Sequence, residues 1–559
     1  MSKRELIILS CLLSFCSISY ELLFANALAI MAGNIVWWHS VTIGIYVAGL
    51  GFGTFKSTKT LFPVKKLVST ELKLSIIGAL SVASIYCFSA VYETLMSIAK
   101  VGYITDYAMF VTLKTQVKML YFIMCQSLVF SVGYFSGFEL PLLISLSSND
   151  EKSSFSVNRL IAANYFGTLI GTLTFAYFLI PKLDTLYSSL VVATLNLAIC
   201  LWISLKSKKL VSSKVFAAIT GVALMLTVGF LGAKKFEQTF LRVYYRAGTT
   251  FLSENNHDLK SWWNLTMDNG DVTRIKTLYQ YIDYFNLSWK GEDEFLLMIN
   301  TNFQFNSSTE QSYHEAFAHI PLLISGNIPK KVLVLGAGDG LLLRELKKYN
   351  EITDITHVEL DEEIVELSKN HPAISKLNEG VLSDPSVKRI IGDAFQFLRK
   401  TDETFDAIYI DFPYPQDYNV AKLFSVEFYK FVKRTLRDDG FAVIDVPLRL
   451  KEGKTDEINR RFVELQSNFS DNDFRRNSVV LSTVDKAGFN TRIPYLVGKE
   501  TFLFMTNSKS KLNYDLFGKT SPMYPSLDND SLSLINRQYF PHEISNDFIN
   551  SIFHPQIVE

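Results

Sequence analysis

The stretch KVLVLGAGDGLLLRELKK, residues 331–348, decides the fold of the second half of this chain. Lys331–Leu335 is short, apolar and rich in branched side chains, which reads as a buried strand. Gly336-Ala337-Gly338-Asp339-Gly340 is a turn that brings backbone close to whatever binds there. Leu341–Lys348 then takes up a helical rhythm. Outward from this unit the pattern repeats. Ile355–Leu360 reads as a strand followed by the helix Asp361–Asn370, and further strands are expected at Val387–Ile391, Ala407–Ile410 and Phe441–Val446. Alternation of this kind predicts an α/β domain, a Rossmann-like (methyltransferase-type) parallel sheet with helices on both faces. Ligands of such sheets bind at the carboxyl ends of the strands.

Four polar features sit at successive strand ends. The glycine turn carries Asp339. Glu359 closes the next strand about 20 residues on, where a ribose would be held. Gly392-Asp393 follows the third strand, in position to meet an adenine, and Asp411 ends the fourth. Together they predict a nucleoside site.

Upstream, residues 236–315 contain short alternating stretches such as Thr273–Tyr284 and Phe295–Phe305, which predict a small β-rich subdomain. Before that the chain changes character. Of 559 residues 20% are charged and 48% hydrophobic, yet Glu21 is the only charge between Glu5 and Lys56. About seven apolar stretches, near 6–32, 36–54, 74–97, 118–146, 159–181, 185–205 and 214–233, approach the ~20 residues that cross a bilayer. The expected division is therefore 1–235 as a multi-span helical membrane domain, 236–315 as the β-rich subdomain and 316–559 as the nucleoside-binding domain. The lipid bilayer is one expected partner, and the location a multi-pass cell-membrane protein. Glu21 and Glu139 fall at membrane depth, where a carboxylate is costly and marks a functional site or a bond to a neighbouring helix.

Composition excludes other classes. Fifty-five basic residues balance 55 acidic ones, so the chain carries no electrostatic footprint for nucleic acid. The five cysteines lie in the apolar half without paired spacing, so neither a disulfide framework nor a metal site is expected. Basic clusters follow the spans on one side, while Lys234 and Lys235 follow the last span. These two signals disagree on sidedness under the positive-inside rule. The soluble part is expected in the cytoplasm.

The motifs resemble those of the spermidine synthases, the polyamine aminopropyltransferase family, in the form that carries a fused N-terminal membrane segment. Val332–Gly340 with Leu343-Arg344-Glu345 is similar to the family's first nucleoside motif. Tyr313-His314-Glu315 with His319-Ile320-Pro321-Leu322 resembles its tyrosine–histidine–glutamate motif, Tyr279-Gln280 its tyrosine–glutamine pair, and Val358-Glu359-Leu360-Asp361 its ribose motif. Asp384-Pro385 through Gly392-Asp393 and Leu423–Tyr429 continue the likeness. In the apolar half, Ser19–Leu23, Gly49–Gly53 and Gly137–Leu142 look like the family's membrane segment.

The resemblance implies a transferase. An amine attacks the aminopropyl carbon of decarboxylated S-adenosylmethionine, a co-substrate rather than a resident cofactor, and methylthioadenosine leaves. It implies Gln280, Asp339, Glu359, Asp393 and Ala394 on the nucleoside side, with His314, Asp339 and Asp411 along the channel for putrescine or another amine. A homodimer or larger assembly through the soluble domain is expected as well. The family's base is the second aspartate of an aspartate-x-x-aspartate-proline segment, whereas this chain reads Asp411-Phe412-Pro413-Tyr414-Pro415. A phenol of pKa about 10 is a poor base near neutrality. That leaves Asp411, Tyr414 or Asp417 to handle the proton. Ala394 stands where the family usually has glycine, and Asp445 where glutamine is common. Two alternatives stay open: a catalytically impaired homologue that binds nucleoside or polyamine as a sensor or transport regulator, and an S-adenosylmethionine-dependent methyltransferase.

Overall fold

The structure is a computed structural model. It describes the whole chain except residues 1, 33–34, 58–61, 101–106, 148–152, 252–257, 269, 290–291, 416–417, 451–468, 498–499, 536–537 and 557–559. The chain divides into two compact units, Met1–Thr273 and Arg274–Glu559.

The first unit is helical. Helices span Lys3–Ala32, Ile35–Lys56, Pro63–Ala99, Tyr107–Ser136, Glu139–Ser147, Ser153–Thr174, Thr185–Lys206 and Ser213–Phe251, so every apolar stretch of the sequence falls on a helix. Among the described residues, six helical stretches are long and apolar enough to cross a membrane. Ile35–Lys56 is not among the six; its first turns carry Trp37, Trp38, His39 and Ser40. The fourth stretch breaks at Gly137-Phe138 and restarts at Glu139.

Small residues set the packing. A Cβ on Gly49 would stand 2.6 Å from the Phe130 carbonyl oxygen, and one on Gly133 2.4 Å from that of Tyr46. These two helices thus meet backbone to backbone, as glycines four apart allow. Glu21 and Glu139 are buried, and so is Glu71, whose carboxylate accepts a 2.5 Å hydrogen bond from Asn196. The last long helix does not stop at Lys235. It runs to Phe251 because Phe240, Leu241 and Arg246 keep a buried face, with Phe240 stacked on Tyr86. A further helix, Leu259–Asp268, follows, so strands begin only at residue 273.

The second unit opens with a four-stranded sheet, β1 (Thr273–Lys276), β2 (Tyr281–Trp289), β3 (Glu292–Ile299) and β4 (Asn302–Asn306), in sequence order. After the helix Glu310–Ser325 comes a sheet of β5 (Lys331–Gly336), β6 (Asp354–Glu359), β7 (Val387–Ile391), β8 (Phe405–Asp411), β9 (Leu436–Asp445), β10 (Thr491–Val497) and β11 (Glu500–Thr506). Its order is β7-β6-β5-β8-β9-β11-β10, parallel from β7 to β9 and closed by the antiparallel β11 and β10. The fold is therefore the expected Rossmann-like sheet.

Both faces of the sheet are covered. Val332 and Val334 point into one apolar layer with Phe317, Ile320 and Leu342, whereas Leu333 and Leu335 point into the other with Leu398 and Phe428. That is why β5 is apolar without alternation. The order of strands reverses between β5 and β8. Their carboxyl ends open the crevice in which ligands of such sheets bind.

Candidate active site

The β5 turn is built for close approach. Gly336 has φ +81°, and a Cβ there would stand 1.9 Å from the Asp411 carbonyl oxygen, so the ends of β5 and β8 touch through backbone. A Cβ on Gly338 would meet Ile364 at 2.6 Å and the Glu359 carboxylate at 3.1 Å. Gly336→Ala adds a left-handed penalty of about 1–2 kcal/mol to that clash. The expected outcome is a melting temperature lower by roughly 4 °C or more, read by thermal unfolding of the full chain. An unchanged melting temperature would show that the two strand ends can separate freely.

Asp339 lies beside this turn. Its carboxylate accepts the Leu341 N–H at 2.9 Å, and its carbonyl accepts the Asn378 side-chain amide at 2.8 Å. Asp411 closes β8, next to Gly336 in register. Burial pushes its carboxyl up to about 6, Asp339's charge adds to this, and His314 and the Tyr313 hydroxyl oppose it. His314 is buried on the helix Glu310–Ser325, its Nδ1 2.8 Å from the Glu310 carbonyl and 2.9 Å from the Glu310 carboxylate. The proton on Nδ1 therefore faces Glu310, which a two-pronged Arg344 holds at 2.8 and 3.0 Å. Burial disfavours the imidazolium, but Glu310, with Asp339 and Asp411 beyond it, outweighs burial and leaves His314 above its ordinary pKa. Asp339, Asp411 and His314 thus lie within electrostatic reach of one another.

On the other side of the turn, Glu359 ends β6 and accepts the Asp361 N–H at 3.0 Å. Burial pushes it up to about 7, with the neighbouring charges of Asp361 and Asp339 adding to a shift that backbone amides partly oppose. Asp361 accepts the Thr277 hydroxyl and the Gln280 amide, both at 2.8 Å. Gln280, on the turn between β1 and β2, is thereby fixed beside Glu359's own loop. Asp361 caps the helix Glu362–Asn370 while doing so.

Asp393 follows β7, whose last residue pairs with Glu359. It caps the helix Ala394–Lys400, accepting from Phe395 at 2.7 Å and Gln396 at 3.3 Å, and Ala394 is buried at the first helical position. Its other oxygen is taken by Lys422 at 2.9 Å. Burial opposes the charge, but Lys422 and the amides outweigh it and hold Asp393 below the usual carboxylate range. A ligand amino group at Asp393 shares that carboxylate with Lys422.

Tyr414 hydrogen-bonds Asp445 rather than Asp411. Its hydroxyl donates to Asp445 Oδ1 at 3.4 Å; burial of that hydroxyl, with the acids Asp445 and Glu500, raises the phenol above its ordinary value, although the residue as a whole is 37% exposed. Asp417 lies outside the described residues. The Tyr313 hydroxyl lies between two carboxylates, 2.9 Å from Asp411 Oδ1 and 3.1 Å from Asp445 Oδ2. Tyr313 and Asp445 stood in the sequence as a motif residue and a departure from the family. Nothing in their spacing announced that they meet. Asp361 carries no sequence signal beyond its motif, and Lys422, just before the Leu423–Tyr429 likeness, carries none.

Residues 310–459 match the spermine/spermidine synthase domain family. Over 440 residues the chain is 30% identical to polyamine aminopropyltransferase 1 of Streptomyces coelicolor, covering 77% of this chain and 73% of that one. Over another 440 it is 29% identical to the polyamine aminopropyltransferase of Leptospira interrogans, covering 78% and 77%. Polyamine aminopropyltransferase 2 of Aquifex aeolicus matches at 26% over 512 residues, 90% of this chain and 87% of that protein, so the likeness extends through the helical unit. With the family's domain seated on the strand ends just described, this chain belongs to the polyamine aminopropyltransferases, a family of transferases.

Proposed function

We propose that the protein is a membrane-bound aminopropyltransferase that moves the aminopropyl group of decarboxylated S-adenosylmethionine onto a diamine such as putrescine. The observation that carries this reading is the placing of Asp339 and Asp411 at adjoining strand ends, with His314 beside them. The donor's aminopropyl arm ends in an ammonium, and the acceptor is a polycation. In a partly desolvated cleft, acids attract both.

In this reading Glu359 accepts the ribose hydroxyls, Asp393 the adenine amino group, and Gln280 and Ala394 line the nucleoside. Asp411 takes a proton from the acceptor's ammonium, and the nitrogen lone pair so freed forms its bond to the aminopropyl carbon as the carbon–sulfur bond breaks. The electron pair goes to sulfur, leaving neutral methylthioadenosine, and the new secondary amine leaves as its ammonium. Tyr414 is a poor candidate for taking the proton, because its phenol is held protonated.

The six apolar helices support residence in a membrane. Lys234 and Lys235, directly after the last apolar stretch, support a cytoplasmic second unit by the positive-inside rule.

The deciding experiment incubates the full chain in lipid nanodiscs with decarboxylated S-adenosylmethionine and a panel of amines. Methylthioadenosine and the longer polyamine should appear together, one for one. S-adenosylhomocysteine formed from S-adenosylmethionine, with no methylthioadenosine, would make the protein a methyltransferase. Binding of the donor without any product would make it a binding protein.

A further inference from the structure

We propose that Asp445 is the second acid of the amine-acceptor site, and that it shares one proton with Asp411 across the Tyr313 hydroxyl and gives it up when a cationic amine enters. This deepens, and rests on, the aminopropyltransferase reading above.

The argument is a proton count. Tyr313 Oη is 2.9 Å from Asp411 Oδ1 and 3.1 Å from Asp445 Oδ2. A phenol has one proton and can donate it to one of them. With both carboxyls ionised, the remaining contact would set lone pair against lone pair at the buried Asp445, where an unsatisfied arrangement is costly. A proton on Asp445 Oδ2 removes the conflict: Asp445 donates to Tyr313, and Tyr313 donates to Asp411. The Tyr414 hydroxyl donates to the opposite oxygen, Oδ1, at 3.4 Å. That leaves Oδ2 as the oxygen that carries the proton.

The surroundings agree on which acid holds it. Asp411 is faced by Asp339, His314 and Tyr313. Asp445 is faced by Glu500 of β11, Tyr495 of β10, Asp411, Tyr313 and Tyr414, with Arg449 acting on Tyr414 from the loop after β9. No cation acts on Asp445 as strongly as its two acidic neighbours. Burial, then Glu500, then Asp411 push it well above the carboxylate range, while Asp411, at about 6, is ionised at neutral pH.

A diamine changes this balance, because it brings two positive charges. Asp411 answers one. The other lowers the proton affinity of Asp445, whose O–H bond breaks, the proton leaving to solvent and the carboxylate taking an ammonium hydrogen bond. The negative charge absent from loop position 414 is thus supplied from the end of β9, and the tyrosine found at 414 binds the acid that supplies it.

The test uses the full chain in nanodiscs saturated with methylthioadenosine. Putrescine and spermidine are titrated in buffers of different ionisation enthalpy, which counts protons. The wild type should release about one proton per amine near pH 7. Asp445→Asn keeps the hydrogen-bonding shape but cannot ionise. It should release none, raise the amine KM at least tenfold and by more than it lowers kcat, and flatten the pH dependence of KM. Asp445→Glu should restore the release. Unchanged methylthioadenosine affinity establishes that each variant is folded. Asp445→Asn with the wild-type proton count and KM profile overturns the proposal. If no amine yields methylthioadenosine in the wild type, the functional reading fails instead, and proton release on amine binding still decides the role of Asp445.

Discussion

Asp411→Asn is expected to slow aminopropyl transfer about 10²–10⁴-fold, the usual contribution of a positioned general base. The substitution is nearly isosteric, and the backbone contact between Asp411 and Gly336 does not depend on the side chain. Methylthioadenosine affinity should therefore stay within about threefold of wild type. The wild-type pH profile carries a second signature. The carboxylate form is the active one, and burial with Asp339's charge raises its pKa to about 6. Turnover should thus fall as pH drops through 6, approaching tenfold per unit, and be level above it until another group titrates. Steady-state release of methylthioadenosine at several pH values reads both effects. A variant retaining a third of wild-type kcat would remove Asp411 from the proton path. The base would then have to be sought in the loop that follows β8.

The contrast between what the sequence foretells and what only the fold assembles is clearest at this site. Asp339, Glu359, Asp393 and Asp411 are legible because each closes a strand, and a parallel sheet gathers its strand ends on one edge. The pair Tyr313–Asp445 is not legible. Those residues are 132 positions apart, on a helix and a strand, and meet because the helix Glu310–Ser325 packs on β9. Lys422 reaches Asp393 across 29 residues for the same kind of reason.

In the helical unit, the charges Lys234 and Lys235 read as the end of a span. The helix continues past them because its exposed apolar stretch gives way to a face packed on its neighbours through Phe240 and Leu241. Glu71 is not legible as a buried carboxylate because the apolar window opens just after it, at residue 74, whereas the helix begins at Pro63. The antiparallel pair β10–β11 is only half legible: Glu500–Thr506 is a strand-like apolar run, but Arg492 and Pro494 interrupt Thr491–Val497.

Glu359 should make nucleoside binding pH-dependent in a direction that the geometry fixes. Ribose hydroxyls donate, so the ionised carboxylate is the form that binds them, and the protonated acid competes with its own proton. Burial lifts the carboxyl to about 7. Above that value Glu359 is ready. Below it, each binding event must first expel a proton. Methylthioadenosine affinity for the full chain should therefore fall as pH drops from 8 to 5, approaching tenfold per unit below 7. Asp361, at about 6 and bonded to Gln280, adds to the slope at the acid end. Glu359→Gln removes the charge, weakening binding at pH 8 by about tenfold or more, since hydrogen bonds to a charged acceptor contribute ~1.5–3 kcal/mol. It should also remove most of the slope. Asp393→Asn should cost less, because the Asp393 carboxylate already bonds Lys422 and two helix amides, and a ligand amino group gains only what those partners leave. Calorimetry on the three proteins at pH 6 and 8 separates these effects. If Glu359→Gln retains the wild-type slope, the titrating group lies elsewhere and Glu359 is not the ribose acceptor. If Asp393→Asn loses more than Glu359→Gln, then Lys422 moves aside on binding and the adenine contact dominates recognition.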